Sequence, residues 1–151
     1  MTQAAQQATT ACRTLYTALN ELDHHACGLL GISRNDLACL NLLERGPVPA
    51  GRIAAALGLT SGSVTTMIDR LERQKLVERM RDANDRRSVL VSATPRVFET
   101  IGRFYAGFAQ RLEALVDARS PEEQEQMIES LSAVAQCCAD HVAAQSLHAA
   151  K

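Results

Sequence analysis

The sequence has 151 residues, of which 46% are hydrophobic, 22% charged and 3% aromatic, and its formal net charge is −1 at pH 7. This length allows one domain with a hydrophobic core, and the scarcity of aromatic residues favours helices over a β-sandwich. Every apolar run is shorter than the roughly 20 residues of a membrane-spanning helix. The polar N-terminus lacks the features of a signal peptide. We therefore expect a cytoplasmic, mainly helical protein that does not bind a membrane.

The charge is distributed unevenly along the chain. Residues 70–87 contain seven basic and four acidic side chains, a net charge of +3, whereas residues 110–151 contain three basic and seven acidic ones, a net charge of −4. Such asymmetry can orient a protein on a polyanion even when its total charge is close to zero.

The first third of the chain predicts two helices. Leucines recur at helical spacing over residues 6–25, and Gly28 and Gly31 are expected to end this first helix. Ser33 followed by Asp36 is typical of a capping box, which indicates the start of a second helix. The Gly-Pro-Val-Pro stretch further along ends that helix, because proline cannot continue it.

The next segment has the pattern of a helix-turn-helix. A short helix is predicted over residues 50–57, and Gly58 suits the left-handed residue that follows a helix. Thr60 or Ser61 then caps a helix that reaches about residue 74. Two short helices joined by a tight turn that contains glycine form this motif.

A change of period after this motif predicts a β-hairpin. Residues 77–81 and 88–92 have the composition and alternation of strands, and the polar, basic turn over residues 82–87 separates them. A proline at the first helical position then starts a helix over about residues 95–119. A Ser-Pro-Glu-Glu start predicts a last helix over about residues 120–146.

The helix over residues 61–74 carries the candidate nucleic-acid face. One side is an apolar stripe that must pack inward, and the other side is small, hydroxylic and then basic. A major groove about 12 Å wide admits such a helix. Small residues allow close approach, hydroxyl groups bond bases or phosphates, and Arg70 suits a guanine or a phosphate. The predicted DNA-binding residues of this helix and its cap are Thr60, Ser61, Gly62, Ser63, Thr65, Thr66, Arg70 and Arg73.

The hairpin turn supplies a second predicted contact. Arg86 and Arg87 lie at its tip, where they are expected to reach an adjacent minor groove, since narrow minor grooves attract arginine. Asp85 is expected to pair with a neighbouring arginine and so to fix the loop. These three residues complete the predicted DNA-binding set.

Three stretches carry a resemblance to a known family. Residues 51–65 resemble the helix-turn-helix of the MarR family of transcriptional regulators, and residues 69–77 and 82–91 resemble its helix end and wing. The resemblance extends over nearly the whole chain. The family's Asp-x-Arg wing element falls on Asp85 and Arg87, which implies that Arg87 is the minor-groove residue. The Leu-Thr that usually follows the wing is Ala-Thr in this sequence.

The resemblance implies a fold, an assembly and a mode of action. The fold is mainly α with a small β-hairpin wing, in one domain over residues 1–151. Dimerisation helices are expected at about 6–30 and 120–148, a winged helix-turn-helix lobe at about 33–94 and a connecting helix at about 95–119. The expected protein is a homodimer that binds a palindromic operator in double-stranded DNA, more often as a repressor than as an activator. A small-molecule effector between the dimer helices and the winged lobe would release it.

Two alternatives remain at this point. Residues 12–16 resemble the first-helix region of the organic-hydroperoxide-sensing branch, which makes Cys12 a candidate redox sensor, although the tyrosines which that branch places around the thiolate are missing from residues 33–37. A winged helix can also bind a partner protein instead of DNA. The sequence contains no catalytic motif, so we expect no enzyme activity, no metal and no cofactor.

Overall fold

The computed structural model describes residues 2–81 and 89–149, and it confirms a mainly helical fold with a small β-sheet. Its elements in chain order are α1 (Gln3–Leu30), α2 (Arg34–Leu43), β1 (Val48–Pro49), α3 (Ala50–Leu57), α4 (Ser61–Arg73), β2 (Val77–Arg81), β3 (Val89–Ala93), α5 (Pro95–Asp117) and α6 (Pro121–Ala149). The chain forms two compact units, Met1–Tyr105 and Ala106–Lys151. Within the described ranges, no helix is long and apolar enough to cross a membrane.

Helix α1 is longer than the sequence predicts. The expected end near residue 25 is wrong, because Gly28 lies inside the helix and Gly31, with φ of 65°, ends it in the left-handed region. A glycine inside a helix costs only about 1 kcal/mol relative to alanine, which tertiary packing can offset. Ala26 and Cys27, directly before Gly28, are buried and supply such packing.

Helix α2 begins where the sequence predicts. Ser33 and Asp36 form the capping box, in which the Ser33 side chain accepts from the Asp36 N–H and the Asp36 side chain accepts from the Ser33 N–H. Leu40 and Leu43 of α2 are buried in the main core of the first unit. This core joins α2, α3, α4, the sheet and the start of α5 through Cys39, Leu40, Leu43, Ile53, Val64, Met67, Ile68, Leu71, Leu76, Val77, Val91, Ala93 and Val97.

The sheet has three antiparallel strands in the order β1-β3-β2. The predicted hairpin is confirmed for β2 and β3, which pair with Val77 opposite Ala93 and Arg81 opposite Val89. Strand β1 was not predicted, because two residues that include Pro49 carry no strand pattern of their own. Proline has no N–H for the ladder, which is tolerated at a sheet edge. We call β2, β3 and the connection between them the wing.

The second unit contains the end of α5 and helix α6. Ser120 caps α6 as predicted, since its N–H donates to Glu123 Oε2 at 2.9 Å and its Oγ accepts from the Glu123 N–H at 3.3 Å. Several large apolar side chains of this unit are exposed in the single chain. They are Phe108, Leu112, Leu115, Ile128, Leu131, Val134 and Val142.

Candidate nucleic-acid interface

Helix α4 is held by one buried stripe, which fixes the side that it presents outward. Val64, Met67, Ile68 and Leu71 are each at most 4% exposed. Of the two predicted caps, Thr60 is the one used: its Oγ1 accepts from the Ser63 N–H at 3.2 Å. The opposite side of α4 therefore faces away from the core.

The hydroxyl groups on this outward side are already oriented. Thr65 Oγ1 donates to the Ser61 carbonyl at 2.9 Å, and Thr66 Oγ1 donates to the Gly62 carbonyl at 3.0 Å. A hydroxyl that uses its hydrogen in this way still offers lone pairs. In this rotamer each threonine can accept a hydrogen bond from a base amino group, whereas a contact to phosphate requires the O–H to turn away.

An open groove of about 650 Å³ lies between the start of α2 and the outward side of α4. We call it the α2–α4 groove. Its walls contain several of the residues predicted to bind DNA, together with two polar residues from the start of α2. The lining residues are Ser33, Asn35, Leu59, Thr60, Gly62, Ser63, Thr66, Met67 and Arg70.

Arg70 is engaged within the protein. Its Nη2 lies 2.5 Å from Oδ1 of Asp36, a fully buried residue on α2, while the Arg70 side chain itself is 44% exposed. The sequence predicts Asp36 only as a helix cap. The two residues are 34 positions apart, and no local pattern connects them.

A second ion-pair cluster joins α4 to the wing. Arg79 Nη2 lies 2.5 Å from Asp69 Oδ1, and Arg79 Nη1 contacts Glu72 Oε2. The hydrogen bond to Asp69 raises the pKa of the Arg79 guanidinium, and Glu72 adds to this effect. Arg73, predicted to bind DNA, donates from Nε to the Asp69 carbonyl at 3.2 Å. Arg79 was not among the predicted site residues, because its position in a strand says nothing about the helix beside it.

The basic turn of the wing lies outside the described residues. This applies to Asp85, Arg86 and Arg87, so the minor-groove contact stays a prediction. The described strands β2 and β3 end and begin on either side of this turn, at Arg81 and Val89.

The cysteine residues differ in their surroundings. Cys12, the redox candidate, is partly exposed on α1. Cys27 and Cys39 are buried. Burial, with a contribution from Asp36, raises the pKa of the Cys39 thiol to about 11. Burial also raises the pKa of the Cys27 thiol. A raised pKa keeps a thiol protonated and unreactive at neutral pH.

A cavity of about 500 Å³ lies between α2 and the first part of α5. Apolar and aromatic side chains form most of its wall, and Glu44 is the carboxylate among its lining residues. Tyr105 borders the cavity and donates from its hydroxyl to Asp23 Oδ1 at 3.2 Å. Burial raises the pKa of the Tyr105 hydroxyl, as does the nearby Asp23 carboxylate. The lining residues are Leu40, Asn41, Glu44, Val97, Phe98, Ile101, Gly102 and Tyr105.

Sequence comparisons match the segment that forms this interface. The model of the MarR family matches residues 32–89, from just before α2 to the first residue of β3. The uncharacterised HTH-type transcriptional regulator YkoM of Bacillus subtilis (strain 168) is 37% identical over 99 residues, which cover 65% of this chain and 64% of YkoM. The chain therefore spans just under two thirds of that relative's length.

Solved structures match a larger part of the chain. RV1404 from Mycobacterium tuberculosis superposes with a TM-score of 0.72 at 21% identity, over 90% of this chain and 95% of RV1404. FabT of Streptococcus pneumoniae, in complex with DNA, superposes with a TM-score of 0.69 at 25% identity, over 90% of this chain and 98% of FabT. The fold is thus shared over most of the chain.

Proposed function

Because the chain belongs to the MarR family of transcriptional regulators, we propose that it binds double-stranded DNA as a homodimer, with α4 in the major groove and residues 82–87 in an adjacent minor groove. The observation that carries this proposal is the outward side of α4, which bears small and hydroxyl-containing side chains. The buried apolar stripe on the opposite side of α4 fixes this side toward solvent. The protein would act as a repressor in the cytoplasm, where the DNA is. No catalytic step is part of the proposal.

The α2–α4 groove supports α4 as the recognition helix. Gly62 has no side chain to hold DNA away, and a Cβ at this position would have no protein heavy atom within 4 Å. Ser63 and Thr66 line the same groove and offer hydroxyl oxygens to base edges. Thr60, Ser61 and Thr65 lie at the same end of α4, where the free N–H groups of a helix start favour a phosphate. Cationic contacts are then left to Arg70, Arg73, Arg86 and Arg87, and Asp85 would pair with a neighbouring arginine and so fix the loop.

The exposed apolar side chains support a second copy of this chain as the partner. Leu15 and Leu19 on α1 are exposed at helical spacing, and Leu131 and Val134 continue a stripe on α6. An apolar patch that stays exposed on a protein surface marks an interaction site. A two-fold dimer would place two copies of α4 about one helical turn of DNA apart, in register with a palindrome.

The cavity beside α5 supports a small effector. Its volume of about 500 Å³ lies within the range of ligand sites, and Asn41 and Glu44 supply the few polar groups that orient a ligand. We propose that a small molecule in this cavity releases the protein from its operator.

Selection from a random duplex library tests the DNA proposal. The wild-type protein should enrich a palindromic sequence, and the logarithm of its affinity should fall linearly with the logarithm of salt concentration, with a slope of about −0.9 per neutralised phosphate. Arg87→Ala should weaken binding and leave the dimer intact. Arg111→Ala, which removes one positive charge from the acidic C-terminal part, is the matched control and should bind as wild type.

The alternative of a protein-binding winged helix predicts different results. No duplex would be enriched after repeated rounds, and any retained DNA would be insensitive to salt and to Arg87→Ala. Either result would contradict the DNA proposal, whereas an unchanged affinity of Arg87→Ala alone would remove only the minor-groove role of that residue.

A further inference from the structure

Asp36 stands out because it is a charged residue with no exposed surface. Among the described residues it is the one polar or charged residue in the buried class. A carboxylate without solvent is unfavourable unless other groups compensate for the lost hydration. The compensation comes from Ser33 on one side and Arg70 on the other.

The two carboxylate oxygens of Asp36 have separate partners. Oδ2 accepts from the Ser33 N–H at 2.9 Å and from the Ser33 hydroxyl at 2.7 Å. Oδ1 accepts from Arg70 Nη2 at 2.5 Å. In the capping box the Asp36 side chain uses only Oδ2. Oδ1 accepts from Arg70 of α4 instead. Capping alone does not explain why this position holds a buried charge.

Arg70 remains accessible while it is held. Its side chain is 44% exposed and borders the α2–α4 groove with Asn35 and Thr66. A guanidinium has five N–H donors, and the contact to Asp36 is made through Nη2 alone. This guanidinium makes no other hydrogen bond or ion pair among the described residues, so its remaining donors are available to a ligand in the groove that Arg70 lines.

An arginine that is fixed in advance is a better DNA contact than a free one. A long side chain loses rotamer freedom when it binds, and this loss weakens binding. If the free protein already holds the side chain in its binding orientation, less freedom is lost. The rigid planar guanidinium gains more from such orientation than an ammonium group does.

We propose that Asp36 is a positioning residue for DNA recognition, which holds the Arg70 guanidinium at the α2–α4 groove in the orientation that contacts the operator. This inference rests on the proposed DNA-binding function. Asp36 itself does not touch DNA and acts only through Arg70.

A double-mutant cycle tests this role with the operator duplex that the wild-type protein selects and an unrelated duplex of equal length and composition. Asp36→Asn retains one oxygen for the bonds from Ser33 and loses the charge that faces Arg70. We expect it to lower operator affinity by about tenfold, within the range of one base contact, and to change affinity for the unrelated duplex less than about twofold. The double variant Asp36→Asn/Arg70→Met should bind no more weakly than Arg70→Met.

Two further variants separate positioning from fold stability. Cys39→Ala is the matched control: it removes a buried side chain of α2 that does not line the groove and retains the Asp36–Arg70 pair, so it should lower the urea midpoint and leave the operator-to-unrelated affinity ratio unchanged. Arg70→Lys keeps an ion pair with Asp36 but lacks the further N–H donors that a guanidinium presents to DNA. The operator-to-unrelated affinity ratio of Arg70→Lys should therefore fall as far as that of Arg70→Met. This test remains valid even if Asp36→Asn does not fold.

Several results would overturn the inference. The first is a double variant whose loss of affinity equals the product of the two single losses, and the second is an equal loss of affinity of Asp36→Asn for both duplexes. The third is a wild-type affinity ratio in Arg70→Lys, and the fourth is a lowered affinity ratio in Cys39→Ala. Failure of the wild-type protein to select any duplex would instead contradict the proposed function.

Discussion

Arg79 Nη2 lies 2.5 Å from Asp69 Oδ1, so an ion pair joins the first strand of the wing to helix α4. The same guanidinium contacts Glu72 one turn further along α4. One cation thus pairs with two carboxylates of the helix that we propose to enter the major groove. We therefore expect Arg79 to affect DNA affinity through the charge of α4 as well as through its own charge.

Replacement of Arg79 by methionine should weaken operator binding because Asp69 and Glu72 would then face the DNA phosphates without a counter-charge. The pairs are partly exposed, so the free energy of unfolding should fall by no more than about 1 kcal/mol per pair. Filter binding against salt concentration and urea denaturation measure the two effects. The triple variant Arg79→Met/Asp69→Asn/Glu72→Gln is the control and should recover most of the lost affinity. A triple variant as weak as Arg79→Met would show that Arg79 contacts DNA directly.

Gly62→Ala should separate DNA binding from fold stability. A Cβ at Gly62 meets no protein atom within 4 Å, and alanine favours a helix by up to about 1 kcal/mol over glycine. The fold should therefore be at least as stable as wild type, while the added methyl group keeps the DNA further from α4 and lowers operator affinity by about tenfold. Gly28→Ala, inside α1 and equally unobstructed, should raise stability and leave affinity unchanged. Equal affinities of the two variants would contradict close approach at Gly62.

Elements with a local signal could be predicted from the sequence. Ser33 caps α2, Gly58 ends α3 with φ of 63°, and Thr60 caps α4. The buried side of α4 was also predictable, because its apolar residues recur at helical spacing. Each of these features depends on residues no more than a few positions apart.

Features that depend on distant residues could not be predicted in this way. Strand β1 exists because Val48 pairs with Val91, and Asp36 pairs with Arg70 across 34 positions. Likewise, in the sequence Arg79 is an ordinary polar residue of a predicted strand. Its ion pairs with α4 arise only because the fold places α4 beside that strand. In each case the interaction is created by tertiary packing, which leaves no periodic pattern in either segment.

Cys39 should make stability fall at high pH. Burial raises the pKa of its thiol from 9.0 to about 11, so the folded protein keeps the thiol neutral over a range in which the unfolded chain ionises. Its contribution to the free energy of unfolding is fully present below pH 9 and is lost as pH rises to about 11, at about 1.4 kcal/mol per pH unit. Urea denaturation at pH 8 to 11 should show a steeper decline for wild type than for Cys39→Ala. Parallel pH curves would contradict the raised pKa.

Leu131→Glu should disrupt the proposed dimer without unfolding the protomer. Leu131 is 48% exposed in the single chain, so a charged residue is tolerated there unless a second copy covers it. In a dimer interface the same charge would lose its hydration without a partner, and the dimer should dissociate. Sedimentation velocity gives the mass, and circular dichroism gives the helix content. Ala133→Glu introduces the same side chain about 200° around α6 and is the matched control, which should remain dimeric.

Because one protomer reaches only one half-site, Leu131→Glu should also lose about half of the salt slope of operator binding. A dimeric Leu131→Glu protein with wild-type affinity would place the interface elsewhere.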